Sequence, residues 1–229
     1  MADNLDETRR TFLLRALAAG LFAVSPLARA GLLGNVPREL PAGKSIYSLN
    51  GGLRVNGKVA STDTVIGNND TLVTDRGSQA IFVVGKDAFI LRENSELHLS
   101  GGNVLVDELR LVAGALLSVF GKSSHHLKTP TATIGIRGTG LYVEAQPDFS
   151  YVCTCYGKTV IGSVTDPSNT EAIESKHHDA PRYVYADGRI RPAPFVNHTD
   201  EELMLIETLV GRTPPFALFD DSYGGPKRY

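Results

Sequence analysis

The sequence predicts an all-β protein, a compact β-sandwich or short solenoid, followed by a C-terminal segment of strands, loops and one α-helix. Three observations predict this fold class. Short stretches of alternating apolar and polar residues begin every ~8–12 residues between Ile46 and about Ala145. Turn-forming Gly, Asn and Asp separate them, and no helical periodicity interrupts them. Because period-two alternation shows which face is buried but not how strands connect, the sandwich and the solenoid both stay open.

Composition sets the limits of this prediction. The chain has 229 residues, of which 42% are hydrophobic and 21% charged, so it is long and apolar enough to bury a core. A net charge of -2 excludes the basic surface of a protein that coats nucleic acid. Two cysteines are too few to hold together a disulfide-built mini-domain.

Residues 1–30 have the parts of an export signal. Arg9 and Arg10 precede the short uncharged stretch Ala16–Val24, and Ala28 and Ala30 provide small residues before a cleavage site. The paired arginines are typical of the twin-arginine route, which exports folded proteins. We therefore expect a bacterial periplasmic or secreted protein, soluble after cleavage or anchored if the signal is retained. Residues 31–45 contain Pro and Gly without periodicity and are expected to be a linker.

Residues 46–146 are expected to form the main β domain. Its predicted strands are Gly52–Gly57, Thr71–Thr74, Gln79–Val84, Ala88–Leu91, Glu96–Leu99, Glu108–Val112, Ala115–Phe120, Thr133–Arg137 and Leu141–Glu144. We expect His98 on a polar face and the adjacent His125 and His126 on the surface. Gly138 and Gly140 mark a turn or a close approach of backbone. Arg137 is expected to pair with a buried carboxylate beneath that turn, the alternative being recognition of an anionic ligand.

Residues 147–229 are expected to form a separate segment. The pattern predicts one or two strands, a polar loop, and a strand with a turn, over Ser150–Ile161, Asp166–Ala180 and Arg182–Ile190 respectively.

One helix is expected at about residues 200–210. Thr199 and Glu202 form a capping-box pattern at its start, and Gly211 is expected to end it. Its apolar stripe has to pack on another part of the protein, because so short a helix is barely stable alone in water. The polar residues 220–229 are expected to fray.

The segment Lys128–Thr139 resembles the signature of the FecR domain family: a Thr-Pro pair, alternating small and apolar residues, then Arg-Gly-Thr and a further strand, here Leu141–Val143. Upstream, the Gly67–Thr74 element (G-x-x-D-T-L-x-T), an opening near Val55 and a run centred on Ser95 are similar too. The resemblance covers roughly residues 50–145.

The resemblance implies an extracytoplasmic, compact, partly solenoid-like all-β module. Members that give the family its name relay a signal from an outer-membrane receptor to a cytoplasmic sigma factor. In this sequence a short export signal stands where they have an anti-sigma segment and a transmembrane helix, so sigma-factor regulation is not carried over. We expect a stand-alone, secreted FecR-domain protein that binds a ligand, metal or partner, as a scaffold or in extracytoplasmic sensing. The partner would be a protein or envelope component, not nucleic acid.

Beyond residue 146, two Cys and three His form the most chemically distinctive group in the chain. Cys153 and Cys155 lie two apart in a predicted strand, so their thiols are expected on one face. His177 and His178 follow in a loop, and His198 precedes the helix. Thiolates with imidazoles suit zinc or copper, and four such ligands would complete a tetrahedral site. We therefore predict a metal site drawn from these five residues.

Two other interpretations of the cysteines stay open. An oxidising compartment favours a disulfide between Cys153 and Cys155, but their Cα atoms in an extended strand would lie ~6.6 Å apart, so the bond would be strained and reducible. Alternatively, both thiols are free. No enzyme is predicted, since phosphate loops, nucleophile elbows and H-E-x-x-H motifs are absent from the sequence. A Cys155–His178 nucleophile pair is the weaker alternative.

Overall fold

Strands dominate residues 39–102 and 106–218, which are the residues that the computed structural model describes. The all-β prediction is confirmed: fourteen strands join in one hydrogen-bonded sheet. The strands are β1 Ile46–Asn50, β2 Leu53–Val55, β3 Lys58–Val59, β4 Thr71–Thr74, β5 Gln79–Val84, β6 Asp87–Leu91, β7 Glu96–Ser100, β8 Glu108–Val119, β9 Ser124–Lys128, β10 Ala132–Ala145, β11 Phe149–Ser163, β12 Thr170–Ser175, β13 Arg182–Tyr185 and β14 Ile190–Pro192.

Helices are few in the described residues. The α-helix α1 spans Asp200–Leu209, and a short 3-10 helix follows at Pro215–Leu218. Within the same residues, no helix has the length and apolar character needed to cross a bilayer. The predicted export signal, residues 31–38 of the predicted linker, and residues 219–229 lie outside the described residues.

Three long strands organise the sheet. In a first strand group, β7 pairs with the first half of β8, β9 pairs with the first half of β10, and β12 pairs with the second half of β11. The group also contains β2, β3 and β4. The second strand group contains the other halves of β8, β10 and β11. In it, β6 pairs with β8 and β13 pairs with β11, and β1, β5 and β14 complete the group. All pairings are antiparallel except that of β8 with β9. Because β11 pairs with β10 along its length, the sheet runs across the expected boundary at residue 146.

The main core lies between the two strand groups. Leu72 and Leu97 of the first group and Phe82 and Leu116 of the second belong to one cluster of buried apolar side chains. The two groups therefore face each other and bury these side chains between them.

The outer face of the second strand group is covered by α1. Leu117, Tyr142 and Cys153 alternate with core residues along their strands and belong to a second apolar cluster, together with Leu203 and Ile206 of the helix. Since strand residues alternate between faces, this group is buried on both sides.

The predicted capping box of α1 is confirmed. Thr199 accepts a hydrogen bond from the Glu202 backbone N–H, and the Glu202 carboxylate accepts one from the Thr199 backbone N–H. Glu202 is buried and also pairs with Arg92 of the sheet at 2.7 Å. The helix start is thus fixed to the sheet by charge as well as by apolar packing.

Two pairs of predicted strands are each one long strand. Glu108–Val112 and Ala115–Phe120 fall in β8 (Glu108–Val119), and the two strands predicted on either side of Gly138 fall in β10. Gly138, where the sequence pattern indicated a turn, and Gly114, in the gap between two predicted strands, have positive φ values of +55° and +86°. In the structure they let a continuous strand bend, with a register shift between Arg137 and Gly140.

Three local predictions are wrong. Residues 170–175 of the predicted polar loop form β12, an edge strand in which few side chains are buried. His125 lies in β9 and is buried beneath Phe120, whereas its neighbour His126 is exposed, as predicted. Arg137 is exposed and forms no ion pair with a described carboxylate.

Candidate metal centre

The first half of β11 positions both cysteines. Residues 150–156 are all buried, because β10 and β13 flank the strand and α1 covers its outer face. Cys153 and Cys155 both point to that outer face, so their thiols share one face as predicted, and both are fully buried free thiols.

His178 reaches the cysteines from the connection after β12. Its backbone is in the left-handed region, with φ +53°, and its N–H donates to the carbonyl of Cys155 at 2.8 Å. Residues other than glycine adopt this conformation uncommonly, although histidine, asparagine and aspartate do so more often than the rest. The turn places the imidazole Nδ1 at 3.5 Å from Cys153 Sγ.

His198, the residue before the helix cap Thr199, reaches the same point. Asn197 has a positive φ of +62°, and the turn it forms brings His198 Nε2 to 3.4 Å from Cys155 Sγ. The Tyr142 ring stacks on the His198 imidazole, with centroids 4.4 Å apart. His198 is only 4% exposed.

The four ligand atoms have the spacing of a tetrahedral site. Cys153 Sγ, Cys155 Sγ, His178 Nδ1 and His198 Nε2 all lie within 4.8 Å of one another. A tetrahedron with zinc–sulfur bonds of about 2.3 Å and zinc–nitrogen bonds of about 2.05 Å has S···N edges of about 3.6 Å and an N···N edge of about 3.3 Å. The two S···N distances given above are 3.5 and 3.4 Å, and His178 Nδ1 lies 3.2 Å from His198 Nε2.

Hydrogen bonds on the far side of each ring determine which nitrogens face this centre. His198 Nδ1 donates to the carbonyl of Val196 at 2.7 Å, and His178 Nε2 donates to the Asp200 carboxylate at 3.0 Å. Neither acceptor can donate a proton, so each neutral ring carries its proton on the outer nitrogen. The inner nitrogens, His198 Nε2 and His178 Nδ1, would then direct lone pairs at each other. A metal ion between the two nitrogens removes that repulsion, as does a proton on His178 Nδ1 in the metal-free site. Such bonds on the outer ring nitrogen are typical of histidines that bind metal.

The charges of the metal-free site follow from burial and these contacts. Burial disfavours a charged His178, but hydrogen bonds to Asp200 and Cys153 outweigh it and raise the pKa of His178 to about 9. Burial also opposes a Cys153 thiolate, yet hydrogen bonds with Cys155 and the two imidazoles hold the pKa of Cys153 well below its usual value. Burial, reinforced by Cys153, raises the pKa of Cys155 well above its usual value. Without metal, a thiolate therefore lies beside an imidazolium.

The fifth predicted ligand, His177, is placed with a different group. Its Nε2 lies 2.8 Å from Asp200 Oδ1, and His177, His178 and Asp200 form a second, less buried cluster. Asp200 was not among the residues predicted from the sequence to belong to the site. Its only signal was its position in the first helical turn, where an acid is expected in any case to favour the helix dipole.

Aromatic side chains enclose the centre. The Phe195 ring lies against both imidazoles of the candidate centre, and its centroid is 4.4 Å from that of His178 and 4.6 Å from that of His198. Phe216 of the 3-10 helix packs on His177 at 4.6 Å. Phe195 is 39% exposed, so it forms the solvent-facing side of this apolar shell, which limits the access of water to the centre.

A groove of about 1040 Å³ lies beside the centre. Its lining includes Tyr142, Glu144 and Asn197. Glu144 accepts hydrogen bonds from the Tyr142 hydroxyl at 2.8 Å and from the Asn197 amide at 2.7 Å. The groove wall is thus built partly from the residues that hold His198 in place.

Comparisons with known proteins give little functional information. No protein-family model matches the chain, and no curated protein matches it. Two crystal structures, at 1.65 and 2.50 Å resolution, of a candidate anti-sigma factor from Parabacteroides distasonis ATCC 8503 are similar to it. Each match has 13% sequence identity and a TM-score of 0.45 and covers 54% of this chain and 58% of the other. At this level the similarity supports no inference about function.

Proposed function

We propose that this protein is an exported, FecR-type metal-binding scaffold whose zinc centre is formed by Cys153, Cys155, His178 and His198. The observation that supports it best is the agreement between the ligand-atom spacing and a zinc tetrahedron. Zinc is favoured over copper because four protein ligands close the coordination sphere. A closed, buried site of two thiolates and two imidazoles is typical of structural zinc.

The centre would act as a structural link. Its ligands come from β11, from the connection after β12 and from the residue before α1, so one ion would join three segments around the second apolar cluster. Export by the twin-arginine route fits this role, because a metal loaded in the cytoplasm requires folding before transport.

Elemental analysis tests the proposal. Full-length protein purified without added metal or chelator should contain about one zinc per chain, as expected for one four-ligand site. Cys153→Ser and His198→Ala should lose the metal, whereas His126→Ala, at an exposed histidine of β9, should keep it. Because a ligand variant can fail to fold, cobalt substitution of the wild type provides a second readout through its thiolate charge-transfer absorption.

Each negative result has a defined meaning. Copper in place of zinc would contradict the choice of metal. No metal and no free thiols after denaturation would support a Cys153–Cys155 disulfide instead. Two free thiols in a protein that takes up neither zinc nor cobalt would contradict the metal centre altogether.

A second candidate function is favoured by one specific arrangement. Cys153 Sγ lies 3.5 Å from His178 Nδ1, and His178 Nε2 lies 3.0 Å from Asp200, which is the order nucleophile, base and orienting carboxylate of a thiol-dependent enzyme. The pair predicted from the sequence as the weaker alternative was Cys155 with His178. Against this function, Cys153 is completely buried.

Alkylation separates the two functions. A thiol enzyme should react with iodoacetamide at Cys153 under native conditions, with Cys155 spared, and mass spectrometry should locate the label. The zinc centre predicts that both cysteines are protected in the metal-loaded protein and become reactive after chelation. Rapid native alkylation of Cys153 in a protein loaded with one zinc would contradict the zinc assignment.

A further inference from the structure

The Asp200 carboxylate lies between two imidazoles. Its Oδ1 is 2.8 Å from His177 Nε2 and 3.0 Å from His178 Nε2, and its Oδ2 is 3.0 Å from His177 Nε2. A carboxylate only accepts hydrogen bonds, so both ring nitrogens facing it are donors.

The location of Asp200 makes this arrangement rigid. It is the first residue of α1, one position after the Thr199 cap, and the helix is held to the sheet by the Arg92–Glu202 pair. A carboxylate in the first turn also benefits from the helix dipole. Asp200 thus approaches His178 from a fixed element, while His178 itself lies in a left-handed turn of a connection.

We infer that Asp200 is a positioning residue that makes His178 bind metal through Nδ1, and that His177 holds the Asp200 carboxylate in place. This inference rests on the proposed zinc centre. His178 has two possible ligand nitrogens, and the hydrogen bond to Asp200 occupies Nε2, which leaves Nδ1 directed at Cys153 and His198. His177 then supports the centre by holding the Asp200 carboxylate, although it was predicted from the sequence to be a ligand.

The same three residues could instead bind a second metal ion. His177, His178 and Asp200 have ligand atoms within 4.8 Å of one another. That arrangement would require both nitrogens of His178 to bind metal, and its ring would have to lose both protons. A hydrogen bond to Asp200 needs no such loss, so the positioning role is favoured.

Zinc affinity and His178 ligation together test the inference. We expect Asp200→Asn to retain one zinc per chain but to bind it about 10–100-fold more weakly, the usual effect of removing such a partner. Competition with a chromophoric chelator measures the affinity. Long-range proton–nitrogen NMR correlations of zinc-loaded protein should show His178 bound through Nδ1 with a proton on Nε2 in the wild type, and a mixture of ligation states in the variant.

Glu201→Gln is the matched control. It removes an acid from the same helical turn while Asp200 and both histidines stay in place, so it should leave zinc affinity and His178 ligation unchanged. Two results would overturn the inference while the four-ligand centre stands. One is wild-type zinc affinity in Asp200→Asn, and the other is a second zinc per wild-type chain that Asp200→Asn loses and Glu201→Gln keeps. Absence of zinc from the wild type would overturn the proposed function and, with it, the positioning role.

Discussion

Position 140 in β10 has room only for glycine. A Cβ added at Gly140 would lie 2.8 Å from Cζ of the Tyr156 ring. That ring has little freedom to move, since Tyr156 is 4% exposed and its hydroxyl donates to the buried Glu207 of α1. The residue after Cys155 is therefore held in place from both the sheet and the helix.

Gly140→Ala should lower the free energy of unfolding by about 1–3 kcal/mol, as expected for overpacking a well-filled region. Gly135→Ala in the same strand is the control, because its Cβ would find its nearest neighbours at 3.9 Å. Urea unfolding monitored by circular dichroism measures both. Equal stability losses in the two variants would show that the strand, rather than the Tyr156 contact, requires glycine.

At the same scale, the sequence identified the candidate ligands but not their surroundings. Cys153 and Cys155 were predictable because residues two apart in a strand share a face. His125 was misplaced because alternation assigns one of two adjacent histidines to the buried face without saying which will find partners. In the structure its Nδ1 bonds to the carbonyl of Val106, 19 residues away, and no local pattern encodes such a contact.

Helix α1 connects its own cap to the candidate centre. Thr199, the N-cap residue, lies between His198 and Asp200, so the backbone geometry of the cap sets the position of both. Loss of the cap should therefore affect stability and metal binding together.

Thr199→Ala should cost about 1 kcal/mol of stability, the usual value for an N-cap, and should weaken zinc binding. Thr199→Ser keeps a hydroxyl that can accept from the Glu202 N–H and should restore both properties. Chemical unfolding and chelator competition provide the two measurements. If the alanine variant is destabilised while its zinc affinity is unchanged, the cap does not position the ligands.

Strand existence was easier to predict than strand length. Gly114 lies in the gap between two predicted strands, yet its positive φ and the closely packed Ser95 belong to a bend inside β8. The strand β12 was predicted as loop because, at the edge of the sheet, it buries only Ile173 and Ser175. Both errors have one cause: edge and bent strands lack the clean alternation that identifies a half-buried strand.

For the whole molecule, the two apolar clusters should respond differently to metal removal. The main core between the strand groups contains no proposed ligand, whereas the second cluster contains both cysteines and the buried face of α1. Chelation of zinc should therefore reduce hydrogen-exchange protection in α1 and in residues 176–199, while β4, β7 and the first half of β8 keep theirs. Uniform loss of protection across the sheet would contradict a local structural role.

The separation of the ligands along the chain has a consequence for the unfolded protein. Cys155 and His198 are 43 residues apart, and β12, β13 and β14 all lie between them. An ion that stayed bound to both in the unfolded chain would close this stretch into a ring, and a cross-link of that span removes chain entropy worth about 4 kcal/mol from the denatured ensemble. Where unfolding separates the ligands and releases the ion, the free energy of metal binding itself stabilises the folded state.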